Sequence, residues 1–367
     1  MYGLVLKEKI NFNQLLPILL YLILILLGIT QSLVNGDYYS AIKALSGNQG
    51  INGYIVHILI ISSGLLIFSY NKYEIFDFQS AKKINLFIFT GFLITLGLGG
   101  INFEIPPSFE FEYASDEGGG KSEYSAGISK VFGFGALTSM YLTAHSSQIG
   151  QRIFYSLTAI VFLALSILGG SRGDALGVLI IGLIYILSIR PLGFTFYALL
   201  MLGILSFFIS DWVWIEDLVF ISRLLVILDG DYGLRDVLFS QSLSILTIKP
   251  SCALFGCGFG FFQYFYGYDI SLYPHNIFLE SLIVFGLPIT IIYFLLSFYG
   301  LFLYFKRINK LDLFILFYFF NLIIIFKSGS LFNDWFFTVS SIYLISIALI
   351  KFANVFKLLT FRDNHQA

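Results

Sequence analysis

The sequence predicts an all-α polytopic membrane protein of about ten transmembrane helices, as its composition, its apolar runs and the placing of its charges all indicate. Hydrophobic residues make up 57% of the 367 residues and charged residues only 12%, with a mean hydropathy of +0.86. A soluble domain carries about 25% charged residues. Such a chain cannot bury its apolar surface in one water-soluble core. We therefore predict a single membrane domain over residues 1–367.

Ten apolar runs are candidates for crossing a bilayer core of about 30 Å, which takes roughly 20 helical residues. They cover residues 15–34, 51–70, 84–101, 126–144, 153–168, 174–189, 194–210, 276–305, 312–327 and 336–350. The first run follows two lysines, as in a signal peptide, but no small-x-small cleavage site follows it, which predicts an uncleaved helix. The run 276–305 is overlong, and Pro288 predicts a kink there or first turns that stand above the bilayer.

The distribution of charge orients these helices. With the amino terminus in the cytoplasm, mostly short inner segments hold 13 of the 21 basic residues, whereas 17 of the 22 acidic residues fall outside or near the outer ends. The positive-inside rule therefore predicts that both termini are cytoplasmic. The net charge of −1 argues against nucleic acid as a partner.

Two long segments are predicted on the outer side. Residues 102–125 are acidic and glycine-containing, which predicts a flexible, solvated connection. Residues 211–275 differ, because the stretches 218–228 and 237–248 have the pattern of short amphipathic helices that lie on the membrane surface. This second loop is the candidate for a catalytic loop.

Three arginines on the predicted outer side are candidates for binding an anion. Arg172 lies in the tight connection 169–174, where its guanidinium can fork onto phosphate oxygens and Asp174 can orient it. Arg223 and Arg235 lie on the two surface helices. Each arginine also has a simpler interpretation, as an interfacial cation paired with a nearby carboxylate.

A glycine-rich stretch follows Arg235 and contains Gly258 and Gly260. Such a stretch permits a sharp turn or close contact with a ligand, or it lets the loop pack against a helix. Cys252 and Cys257 can pair in an oxidising compartment, although unpaired thiols are the expected state. No zinc-ligand spacing is present, so we predict no metal site.

His275 stands where the loop enters the next helix, directly after Pro274. Asn276 and Glu280 are four residues apart and so share one helix face. An imidazole is a natural general base for a sugar hydroxyl at neutral pH. In the alternative interpretation, Asn276 caps the helix and His275 is an ordinary interfacial side chain.

In their order and their side of the membrane, these motifs resemble the O-antigen polymerase and O-antigen ligase superfamily of bacterial envelope glycosyltransferases. The resemblance covers roughly residues 150–300 by motif and the whole chain by topology. The motifs that carry it are Ser171-Arg172-Gly173, Arg235, Pro250, Gly256-x-Gly258-x-Gly260, His275-Asn276-x-x-Leu279-Glu280 and Gly286.

The resemblance implies a metal-independent transferase without a cofactor, with a C-type glycosyltransferase fold, in the bacterial inner membrane and with a periplasmic site. Donor and acceptor would be undecaprenyl-diphosphate-linked glycans, and a chain-length regulator is a partner expected from the family alone. Arg172 and Arg235 would neutralise the diphosphate leaving group, and His275 would activate or orient the acceptor hydroxyl. The further substrate-binding candidates are Arg223, Asn276, Glu280, Asp174, Gly258 and Gly260.

Within the superfamily we favour the repeat-unit polymerase over the ligase, which transfers finished glycan to the lipid A core. The polymerase branch is often described with Arg-x10-Gly stretches, but here Leu234 and Leu246 occupy the glycine positions that would follow Arg223 and Arg235. A lipid-linked oligosaccharide flippase or a transporter is the alternative of another class. It is disfavoured because the charges gather at the outer ends of the helices instead of within the spans.

Overall fold

A computed structural model describes most of the chain, in ranges separated by gaps. The described residues are 12–35, 50–70, 75–97, 101–102, 108–109, 111–113, 120–122, 126–169, 171–189, 234–268, 272–330 and 334–363. The chain divides into two compact units. The first comprises Met1–Ile75, Gly233–Lys310 and Ile325–Ala367, and the second comprises Phe76–Tyr232 and Leu311–Ile324.

Helices dominate the described residues. In chain order they are α1 (Phe12–Val34), α2 (Gly50–Tyr70), α3 (Phe78–Gly97), α4 (Ala126–His145), α5 (Ile149–Leu168), α6 (Arg172–Ile189), α7 (Leu234–Ile248), α8 (Pro250–Phe255), α9 (Phe261–Tyr266), α10 (Ile277–Phe285), α11 (Leu287–Ile308), α12 (Leu313–Ser328) and α13 (Trp335–Asp363). Four described segments are long and apolar enough to cross a membrane, namely α1, α5, α11 and Trp335–Asn354 of α13. Shorter apolar helical stretches accompany them in α2, α6 and α12. The chain is a polytopic membrane protein.

Nine of the ten predicted apolar runs overlap described helices, and the run 194–210 lies outside the described residues. The run 84–101 extends past the end of α3 at Gly97, and its last residue lies in a short strand. One boundary has a clear local cause. Helix α3 begins at Phe78, before the predicted span 84–101, because Asp77 Oδ1 accepts a hydrogen bond of 2.7 Å from Ser80 N. This bonding to Ser80 also lowers the pKa of the Asp77 carboxyl.

The overlong run 276–305 is two helices, so the predicted kink at Pro288 is replaced by a break at Gly286. Gly286 has φ +80°, a backbone conformation that favours glycine, and a Cβ atom there would collide with the Leu254 carbonyl oxygen. Pro288 lies in the first turn of α11, where its missing N–H leaves no helical hydrogen bond unmade.

Four short strands lie in or next to the acidic segment that was predicted as a flexible connection, and the other described elements are helices. Strand β1 (Ile101–Asn102) pairs antiparallel with β2 (Ser108–Phe109), and β3 (Phe111–Tyr113) pairs antiparallel with β4 (Gly120–Ser122). Aromatic and polar residues alternate in β3, as is typical of a strand. The prediction of a flexible connection rested on the acidic charge of the segment.

Close helix packing holds α11 against α13 in the first unit. A Cβ atom at Gly300 would lie on the Leu344 backbone, so the two helices approach at a position where no side chain fits. Buried hydroxyl residues, among them Ser297 and Ser341, lie on these two helices. Small residues at the contact and exposed apolar residues such as Leu295 elsewhere are typical of helices packed in lipid.

We predict that Gly300→Ala destabilises the protein by about 1–3 kcal/mol, because the added methyl group forces α11 away from the Leu344 backbone. The matched control is Gly91→Ala on α3, where an added Cβ meets no atom within 4 Å. This control should be neutral or slightly stabilising, since alanine favours a helix over glycine by about 1 kcal/mol. Thermal unfolding midpoints in one detergent compare the two variants, and equal midpoints would contradict the close packing.

Candidate functional site

The candidate site is built on the loop that joins α7 to α10 in the first unit. Helix α7 agrees with the predicted surface helix 237–248, whereas α8 and α9 were not predicted. Between α8 and α9 runs the glycine-rich stretch 256–260, which we call the glycine joint. A buried apolar cluster from α7, α8, α9 and α10 holds these elements together, with Leu238, Ile245 and Ile283 among its members.

The glycine joint is hydrogen-bonded to the end of α10. The Cys257 N–H donates to the Ile283 carbonyl at 2.7 Å, and the Gly258 N–H donates to the Val284 carbonyl at 3.1 Å. The last carbonyls of a helix have no partner within it, so these two bonds satisfy groups that would otherwise be left unbonded. Gly256, at φ +80°, brings the joint so close that a Cβ atom there would collide with the Val284 carbonyl oxygen.

The other side of the glycine joint packs against α1. The Ser32 hydroxyl lies 3.2 Å from the Phe259 carbonyl oxygen and donates to it, and Asn35 Nδ2 donates to the Cys257 carbonyl at 3.4 Å. A Cβ atom at Gly258 would collide with the Ser32 backbone. This contact explains Gly258 without a ligand, so the structure favours loop packing over the predicted substrate contact. Gly260 is buried, has φ +73° and is the N-cap residue of α9.

A disulfide joins Cys252 of α8 to Cys257 of the glycine joint, with 4.9 Å between the two Cα atoms. The expectation of unpaired thiols is therefore wrong. The helical turn of α8 brings cysteines five residues apart close together, and the Gly256 N–H donates back to the Cys252 carbonyl at 3.0 Å. Both cysteines are buried. Disulfides persist in oxidising compartments, which agrees with the predicted outer position of this loop.

At its other end, α10 is preceded by His275 and by Asn276, its N-cap residue. Asn276 Oδ1 accepts hydrogen bonds from the N–H groups of Phe278 at 3.0 Å and Leu279 at 3.1 Å, so the capping interpretation is confirmed. Asn276 Nδ2 also donates to the Phe326 carbonyl in the last turn of α12, at 3.0 Å. The cap therefore fixes the start of α10 both to its own backbone and to a second helix.

His275 is held in a left-handed backbone conformation with φ +51°, which few non-glycine residues adopt. The ring is half-buried, its Nδ1 atom is buried, and its centroid lies 4.0 Å from that of the Tyr273 ring. Backbone strain of about 1–2 kcal/mol at such a position is carried by the surrounding structure. Strained residues of this kind cluster at functional sites.

Glu280, one turn further along α10, lies in a polar group that the sequence did not reveal. Its Oε1 atom accepts a hydrogen bond of 2.9 Å from the Ser330 hydroxyl. The Ser330 N–H in turn donates to Asp334 Oδ2 at 3.2 Å, immediately before α13 begins. An aspartate directly before an apolar helix is a recognisable helix-start pattern, but no local pattern links Ser330 to a glutamate that lies 50 residues earlier.

The arginines have different outcomes. Arg235 lies half-buried in the first turn of α7 and makes no hydrogen bond or ion pair with a described residue, so the expected pair with Asp236 does not form there. Arg172 begins α6 in the second unit, and its side chain lies outside the described residues, as does all of Arg223. Asp174 is buried, and nearby the Ser171 N–H donates to the Ser129 hydroxyl at 3.2 Å.

The described geometry restricts how an anion could be held beside α10. A helix start offers free N–H groups to anions, but Asn276 already occupies those of Phe278 and Leu279. A phosphate group would therefore need side-chain donors such as an arginine. Across the described part of the chain, no cluster of His, Cys, Asp and Glu side chains is arranged to hold a metal ion.

No protein-family model, curated protein or solved structure matches this chain.

We predict that Asn276→Ala destabilises the protein by about 1–2 kcal/mol, because it removes both cap bonds and the bond to Phe326. Asn276→Asp keeps the accepting oxygen and loses only the donor, so it should cost less than the alanine variant. Thermal unfolding in one detergent measures both variants. An alanine variant as stable as the wild type would show that the cap does not fix the start of α10.

We predict that neither cysteine of the denatured, unreduced protein reacts with a maleimide–polyethylene glycol reagent, and that both react after reduction, because Cys252 and Cys257 are the only two cysteines. Gel shifts of protein denatured directly from intact cells report the number of reactive thiols. The control is Cys252→Ser, which should show one reactive thiol without reduction. Two shifts on the unreduced wild type would contradict the disulfide.

Proposed function

We propose that this chain polymerises undecaprenyl-diphosphate-linked oligosaccharide repeat units into O-antigen or a related surface polysaccharide. The observation that carries the proposal is the start of α10, where a half-buried imidazole at φ +51° adjoins a doubly bonded helix cap. Such a start holds a proton acceptor rigidly at the end of a buried helix. The sequence motif around His275 supports the same assignment by its resemblance to envelope glycosyltransferases.

In the proposed reaction, a hydroxyl oxygen of the acceptor glycan attacks the anomeric carbon of the donor sugar. The bond from that carbon to the diphosphate breaks, and undecaprenyl diphosphate leaves with the electron pair. His275 accepts the hydroxyl proton. Rigid placement of such a base is worth more than its basicity alone, because the acceptor oxygen must approach the anomeric carbon along one direction.

Negative charge grows on the diphosphate as the bond breaks, and fixed cations stabilise it best when they need not move. We assign this role to Arg235, which lies half-buried in the first turn of α7. Arg172 keeps the diphosphate role that the resemblance implies, and Arg223 remains a substrate-binding candidate.

Glu280 and its hydrogen-bond partner Ser330 offer acceptor and donor groups for sugar hydroxyls near the helix start. Within this proposal the fold is of the C-type glycosyltransferase kind with about ten spans. The protein lies in the bacterial inner membrane with both termini in the cytoplasm, and its site faces the periplasm. The pairing of Cys252 with Cys257 supports that side, since it needs an oxidising compartment.

Deletion of the gene tests the proposal against its alternatives. Loss of a polymerase should leave single repeat units on the core lipid, visible as one band on a lipopolysaccharide gel. Loss of a ligase would remove all attached repeats while lipid-linked polymer accumulates. Loss of a flippase would leave unpolymerised lipid-linked units on the cytoplasmic side. Either of the last two patterns would overturn the polymerase assignment.

Complementation of the same deletion strain tests the site. We expect His275→Asn to insert at the wild-type level but to restore no polymer, because asparagine tolerates a positive φ and has no basic ring nitrogen to accept the hydroxyl proton. Arg235→Ala should likewise insert and fail, and Gly91→Ala is the control that should restore the full ladder. Wild-type ladders from both site variants would sink the assignment of His275 and Arg235.

A further inference from the structure

The loop that carries the glycine joint, part of which was predicted to lie on the membrane surface as an amphipathic helix, exposes many large apolar side chains. Phe255 is 67% exposed, Ile248 63% and Leu254 53%. Further exposed apolar residues on α7 and α9 are Val237, Phe239, Leu243 and Tyr264. So many exposed large apolar side chains in one loop indicate a surface that meets another apolar phase.

Three polar side chains of the same loop, Gln241, Tyr266 and Tyr268, bond to groups within the loop. The Gln241 side chain hydrogen-bonds the Tyr268 hydroxyl at 2.8 Å, and the Tyr266 hydroxyl donates to the Gln241 carbonyl at 3.0 Å. The Tyr266 and Tyr268 rings stack on each other. The loop is thus internally bonded on one part of its surface and apolar on another.

The apolar surface continues onto a membrane-spanning helix. The Leu254 carbonyl oxygen lies against Gly286, where α11 begins, and the next residue, Leu287, is also exposed. Helix α11 is long and apolar enough to cross a bilayer, and its exposed face continues through Ile292 and Leu295. Leu254 therefore lies beside the start of this exposed face of α11, and lipid around α11 would extend to it.

A cation marks the edge of this surface. Lys249 lies between Ile248 and α8, and its Nζ atom stands over the Phe261 ring at 5.0 Å and the Phe265 ring at 5.6 Å. Lysine at a lipid boundary extends its apolar stem along the nonpolar surface and keeps its ammonium group at the headgroups. Aromatic rings beside it suit the same interfacial zone.

We infer that α8, together with Ile248, is inserted into the lipid of the leaflet at which α11 begins, with Phe255 and Leu254 among the acyl chains and Lys249 at the headgroup level. The inference depends on α11 spanning the bilayer and does not depend on glycosyl transfer. It gives the loop a second anchor besides the glycine joint. A lipid-linked substrate that diffuses in the same leaflet would then meet the loop at its own depth.

Depth-dependent fluorescence quenching tests the insertion. The protein, with Trp212, Trp214 and Trp335 replaced by phenylalanine, carries Phe255→Trp and is reconstituted in phosphatidylcholine nanodiscs. Part of the lipid carries a doxyl quencher at acyl carbon 5 or 12. We expect a blue-shifted emission that the shallow quencher reduces at least twofold more than the deep one. Leu254→Trp provides an independent position if the first variant does not fold.

Two matched positions calibrate the result. Ile292 lies about 7 Å along α11 from Leu287, the first residue of that helix. The tryptophan of Ile292→Trp should therefore be quenched more by the deeper label. Asp236→Trp, at an exposed polar position on α7, should be quenched little by either label. Emission from positions 254 and 255 as weakly quenched as that from 236 would overturn the inference. A blue shift without lipid quenching would also overturn it, by showing that a second protein surface covers the loop.

Discussion

The arrangement of the first unit depends on two backbone hydrogen bonds, those from the glycine joint to the carbonyls of Ile283 and Val284. A nine-residue helix whose last turn is buried cannot leave its last carbonyls unbonded, because each such group costs several kcal/mol in apolar surroundings. The joint supplies the missing donors from a loop that comes earlier in the chain. The end of α10 is thereby fixed, and α11 can start in a new direction one residue later.

The same joint explains why the start of α10 is well defined. With one end tied to the glycine joint and the other capped by Asn276 and bonded to Phe326, the helix has no freedom to shift along its axis. His275 lies directly before this fixed element. Its unusual backbone angle of φ +51° is held next to this restrained helix. The candidate site residue His275 thus adjoins a helix that is positioned by contacts unrelated to the proposed chemistry.

The helices could be predicted from the sequence because a chain in lipid has few structures available besides helices. The length and the composition of an apolar run indicate directly where such a helix lies. The sequence also predicted the Asn276 cap, which is a local pattern. The break at Gly286 could not be predicted, since it depends on a carbonyl of Leu254 from another segment. The bond between Glu280 and Ser330 likewise joins residues that no spacing rule connects. Arg235 was predicted as a candidate for binding an anion, but which groups surround its side chain depends on the tertiary structure.

The short separation of Cys252 and Cys257 has a consequence for biogenesis. A bridge between cysteines five residues apart needs no later part of the chain, so it can close as soon as this loop reaches an oxidising compartment. The donors for the end of α10 would then be ordered while α10 is still being synthesised. Helices α11 and α13 of the same unit would assemble onto a prepared template, and the order of synthesis would itself guide the folding of this unit.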